Sequence, residues 1–66
     1  MKNLIKVERA KKNLTQAELA SKIGVSRQAI NSIESGKFIP STVLALKMSK
    51  VFGTAVENIF HLEKTD

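Results

Sequence analysis

A chain of 66 residues has room for one domain and a modest core, because small domains bury a low fraction of the surface their unfolded chains expose. It has no cysteine and a single histidine, His61, which excludes a disulfide framework, a structural zinc site and a thiol nucleophile, and leaves no reason to expect an enzyme, a metal or a cofactor. The net charge of +5 is concentrated at the start, where Lys2, Lys6, Arg9, Lys11 and Lys12 stand against Glu8 alone, a one-sided basic field that suits a polyanion. No stretch of about 18 apolar residues occurs and the first residues carry no apolar leader, so a cytoplasmic location without membrane contact is expected.

Helix start and stop signals divide the chain into five short helices joined by tight turns. The first is expected from Ile5 to Lys12, with Ile5, Val7 and the stem of Arg9 facing inward. Thr15-Gln16-Ala17-Glu18 is a capping box: the hydroxyl serves one free amide of the helix start and Glu18 reaches back to another. The second helix then runs to Ile23, and Gly24 stands where a helix end needs a residue tolerant of positive φ. Ser26 caps a third helix, Arg27 to Ser35, which buries Ile30 and Ile33, and Gly36 is expected to end it in the same way as Gly24. After the connector Lys37-Phe38-Ile39-Pro40, Ser41 or Thr42 opens a fourth helix with Val43, Leu44, Leu46, Lys47, Val51 and Phe52 in its pattern, closed by Gly53. Thr54-Ala55-Val56-Glu57 is a second capping box, giving a fifth helix from Ala55 to about Phe60. The tail His61-Leu62-Glu63-Lys64 is able to pair as a strand with Lys2-Asn3-Leu4.

The relation between the second and third helices is the informative feature. Leu19, Ile23, Val25, Ile30 and Ile33 supply an apolar set, Ala20 is small where the third helix must pass, and Gly24 supports the turn. A generic helical hairpin needs only the apolar set. The added small residue and glycine point to a helix-turn-helix over residues 15–35 within a single domain of residues 1–66.

These residues resemble the Cro/repressor type of helix-turn-helix protein, also called the xenobiotic-response-element family. The matching run is Leu14-Thr15-Gln16-Ala17-Glu18-Leu19-Ala20, then Gly24-Val25-Ser26-Arg27-Gln28-Ala29-Ile30, then Ile33-Glu34-Ser35-Gly36-Lys37 and Pro40. At this length the chain is similar to short single-domain repressors like the cytolysin repressor. The resemblance implies an all-α, five-helix lambda-repressor-like domain, a symmetric dimer and operator binding. It also implies that Arg9 on the first helix pairs with Glu34 near the end of the third, as a structural ion pair rather than a phosphate contact.

With Ile30 and Ile33 inward, the third helix turns Arg27, Gln28, Asn31 and Ser32 outward, and its N-terminal part is what enters a major groove in this docking mode. Arg27 can donate twice to guanine, while Gln28 and Asn31 can each donate to and accept from adenine, each bidentate pair discriminating by roughly 1 to 3 kcal/mol. Phosphate contacts are expected from Gln16 at the start of the second helix and from Lys37, with the hydroxyls of Thr15 and Ser26 serving mainly as caps.

Leu14, Leu19, Ile23, Val25, Ile30, Ile33, Leu44 and Leu46 are expected to close the core. That leaves Phe52, Val56, Ile59, Phe60 and Leu62 as a dimer interface within residues 52–66, setting two reading helices about 34 Å apart on a pseudo-palindrome. The leading expectation is a homodimeric repressor of transcription binding double-stranded DNA. The alternatives are an antitoxin that binds a toxin protein as well as its operator, and an interaction module that reads no sequence. A separate signalling protein would supply any inducing signal, since no ligand pocket is evident.

Overall fold

A computed structural model describes residues 1–66 as β1 (Lys2–Asn3), α1 (Ile5–Lys11), α2 (Gln16–Ile23), α3 (Arg27–Glu34), α4 (Thr42–Phe52), α5 (Val56–Ile59) and β2 (Phe60–His61). Local chemistry explains most of the helix boundaries. Thr15 accepts from the Glu18 amide at 3.0 Å while Glu18 accepts from the Thr15 amide at 2.9 Å, completing the first capping box. Ser26 and Ser41 cap α3 and α4 by accepting from Ala29 and Leu44. Gly24 ends α2 at φ 75°, and a β-carbon there would meet nothing within 4 Å, so its role is conformational freedom and not close approach.

Gly36, left-handed at φ 79° directly after the Ser35 cap, ends α3 as expected. Two boundaries depart from expectation. The second capping box does not form: Ala55 takes the cap position of α5 without a side-chain bond, and the Thr54 hydroxyl instead accepts from the Asn58 side-chain Nδ2 at 3.2 Å. The antiparallel strand pair sits earlier than the tail predicted, with Lys2 opposite His61 and Asn3 opposite Phe60, so Leu62, Glu63 and Lys64 lie outside it.

The core gathers residues from every element but β1: Ile5 of α1, Leu19, Ala20 and Ile23 of α2, Ile30 and Ile33 of α3, Met48 and Phe52 of α4, Ile59 of α5 and Phe60 of β2. A fully buried isoleucine or leucine stabilises by roughly 1.5–3 kcal/mol, so this single cluster holds the two helices of the motif on their scaffold. Its membership corrects the predicted dimer surface. Phe52 and Ile59 are 4% and 0% exposed within one protomer and have almost nothing to offer a partner, while Phe60, 8% exposed, keeps only the edge that lines a groove beside Val56. Val56 is half-buried and Leu62 is exposed, so these two remain open. Leu46, expected inside, is exposed, and Met48 fills the core in its place; on α1 it is Glu8 that is buried, while Val7 faces solvent.

Candidate nucleic-acid interface

The rotation of α3 about its axis is fixed by Ile30 and Ile33, which the core seals completely. Its opposite side therefore stands in solvent, and Arg27, Gln28 and Asn31 alone line an open recess there. Ser32 lies at the margin of this face and is half-buried. Its carbonyl accepts from the backbone amides of Lys37 and Phe38 at 3.0 and 3.2 Å, which brings the chain back at the end of the helix and leaves Lys37 exposed beside it.

Gln16 opens α2, where the first-turn amides have no partner inside the helix and attract anions. Its Nε2 donates to Asn31 Oδ1 at 3.4 Å, a bond that joins the two helices of the motif on the solvent side. Thr15 and Ser26 cap α2 and α3 through hydroxyl oxygens that accept backbone bonds; the Ser26 hydroxyl retains its proton to donate outward, whereas that of Thr15 is turned to the Glu18 carboxyl. The Glu18 carboxyl is held below its usual range, first by the Thr15 backbone amide and then by the Thr15 hydroxyl. It is thus ionised at neutral pH beside the positive end of α2.

Arg9 belongs to the scaffold. Its Nε and Nη2 donate to the two carboxylate oxygens of Glu34 at 2.7 and 3.0 Å, and its Nη1 donates to the Leu14 carbonyl at 2.9 Å. One side chain thereby ties α1 to the end of α3 and to the turn before α2, with three of its five N–H groups engaged inside the scaffold. Lys11 pairs with Glu8 at 3.1 Å, so of the five N-terminal cations only Lys2, Lys6 and Lys12 are without a carboxylate. One contributor escaped the sequence. Asn3 Nδ2 donates to the Ile33 and Glu34 carbonyls at 3.0 and 3.4 Å, while its Oδ1 accepts from the Ile5 amide at 3.2 Å, so a residue of β1 satisfies the exposed end of α3 and starts α1. A separation of about 30 residues left no local signal for it.

The helix-turn-helix family model matches residues 5–59. The chain belongs to the helix-turn-helix family, in its Cro/repressor type. This helix-turn-helix protein is 56% identical over 63 residues to an uncharacterized HTH-type transcriptional regulator of Methanocaldococcus jannaschii, covering 96% of each chain. It is 42% identical over 64 residues to the uncharacterized HTH-type transcriptional regulator YgzD of Bacillus subtilis, covering 97% of each. Its fold superposes on the crystal structure of the P22 c2 repressor in complex with a synthetic operator at a TM-score of 0.77 and 31% identity, over 94% of this chain and 89% of that one. The helix-turn-helix protein is accordingly a DNA-binding transcriptional regulator with a lambda-repressor-like fold. None of its helices is long and apolar enough to cross a membrane.

Proposed function

We propose that the protein is a homodimeric repressor that binds a pseudo-palindromic operator, with α3 in the major groove. The observation that carries this is the two-sidedness of α3: one face is sealed by Ile30 and Ile33, and the other offers Arg27, Gln28 and Asn31 around an open recess. In this reading Arg27, Gln28, Asn31 and Ser32 contact base edges, while Gln16, Lys37, Thr15 and Ser26 contact the backbone and set the register. Selection of bound duplexes from a random pool at fixed salt tests it. The parent is expected to return a symmetric motif, and Gln28→Ala to lose preference at one symmetric pair of positions; recovery without any motif would remove sequence-specific readout.

The dimer is supported by apolar surface that one protomer leaves uncovered. Phe38, Ile39, Val43 and Leu46 are each more than half exposed, and a groove lined by Pro40, Leu46 and Val56 continues that surface to α5. Such a patch on a small protein marks an association surface, and a two-fold axis through it would pair two reading helices. The parent is expected to sediment as a dimer at micromolar concentration, and Leu46→Asp as a monomer with weakened binding to the selected duplex. A parent that is monomeric both alone and on DNA would refute the dimer while leaving the reading of α3 intact.

A further inference from the structure

Lys12, Leu14, Lys22 and Val51 line an open recess where the end of α1 and the turn after it meet the last turns of α2 and α4. α3 supplies none of it, and it shares no residue with the recess of Arg27, Gln28 and Asn31. Leu14 and Val51 are half-buried against the core and form its floor, while both lysines are exposed at its rim. No carboxylate of the chain neutralises that rim. Glu8 pairs with Lys11, Glu34 with Arg9, and Glu63 and Asp66 with the Met1 amine. Glu18 stands one turn before Lys22, but its carboxyl is bonded to the Thr15 amide, and Glu57 lines the groove beside Val56. Two more exposed cations adjoin the recess from α4: Lys50 precedes Val51, and Lys47, one turn before Val51, reaches the Ile23 carbonyl next to Lys22 at 3.5 Å.

We propose that this recess docks an acidic segment of another protein, one that sets carboxylates on either side of an aliphatic or aromatic side chain. Charge complementarity asks for carboxylates against Lys12 and Lys22, and the floor of Leu14 and Val51 asks for an apolar group between them. A phosphate backbone meets the first demand but has no apolar side chain to cover the floor. Docking there is independent of the reading of α3, whose residues line none of the recess.

Selection of short peptides from a random pool on the parent tests it, with the retained peptides then titrated into the parent and into two double variants, Lys12→Gln with Lys22→Gln and Lys12→Glu with Lys22→Glu. Retained peptides are expected to be rich in Asp and Glu around one Leu or Phe. They should shift the amide resonances of Lys12, Leu14, Lys22 and Val51 and leave those of Arg27, Gln28 and Asn31 in place. Their affinity is expected to fall about tenfold in the glutamine pair and further in the glutamate pair. The glutamine pair removes charge without setting a carboxylate at the C-terminal ends of α1 and α2, and a parent-like amide spectrum away from the recess shows that it folds. A pool that yields no binder, peptides without an acidic excess, peptides that seat in the groove of Pro40, Leu46 and Val56, or an affinity unchanged in both variants would each overturn the inference. So would a generic duplex that shifts the same four amides, which would make Lys12 and Lys22 phosphate contacts.

Discussion

Arg9 donates three hydrogen bonds and Glu34 receives two of them, so the two partners are not equivalent. Removing Glu34 leaves the guanidinium with the Leu14 carbonyl and some access to water, whereas removing Arg9 strands both a carboxylate and a carbonyl. The side chains are 15% and 9% exposed, which places the pair at the lower end of the range for buried ion pairs. Arg9→Ala is expected to destabilise by about 3 kcal/mol and Glu34→Ala by about 2 kcal/mol. Urea denaturation checks the order; variants as stable as the parent would show that the pair contributes nothing. Neither residue was readable as a partner from spacing, since 25 residues separate them, and it was family resemblance that joined them. Arg27, Gln28 and Asn31 were legible because two buried isoleucines fix the phase of α3. The direction of the Gln16 to Asn31 bond was not, because it depends on side-chain rotation across two elements.

Helix starts were the most legible elements, since a cap is a contact between residues three apart: Thr15, Ser26 and Ser41 all accept where their spacing predicted. The box before α5 failed for a tertiary reason. The Ser49 hydroxyl donates to the Thr54 carbonyl and Asn58 donates to the Thr54 hydroxyl, which moves the cap to Ala55. α4 was misread for a different reason: it carries apolar residues on almost every side, so periodicity did not decide that Met48 and not Leu46 faces inward. The box at α2 makes a pH prediction. A carboxyl whose value is lowered in the folded state stabilises at a pH above its unfolded value, and that contribution is lost as pH falls through the folded value. Glu18 is lowered from 4.5, so its share of stability is complete well above pH 4.5 and disappears with acidification below it. Glu18→Gln keeps a neutral acceptor, and its thermal melts are expected to fall less steeply than the parent's between about pH 6 and 3. Parallel curves would contradict this assignment.

The whole molecule measures 32 × 22 × 20 Å, so one protomer spans close to a single turn of DNA, about 34 Å, and offers it one α3. Two copies are what a two-part site requires, and the apolar surface around Leu46 is where the excess hydrophobicity of the chain is found. The basic field legible in the composition is smaller in the fold, since Arg9 and Lys11 are already paired with Glu34 and Glu8. Binding should still weaken steeply with salt, as neutralised phosphates release their counterions. Lys37→Ala is expected to weaken all duplexes evenly and to lower the slope of log affinity against log salt by about 1 per protomer. A change confined to one base position would instead make Lys37 a reader.

The pairing of β1 with β2 joins segments from opposite ends of the chain, while α2 and α3 meet across a three-residue turn. Closing the larger loop costs more chain entropy, so the two helices of the motif are expected to assemble first and the ends to close last and open first. Because Asn3 holds the Ile33 and Glu34 carbonyls, each such opening loosens the last turn of α3. The first turn is held separately by Ser26 and Ile30. The molecule is therefore expected to loosen at its seam, freeing the Ile33 and Glu34 carbonyls at the end of α3, while Arg27 and Gln28 keep their place.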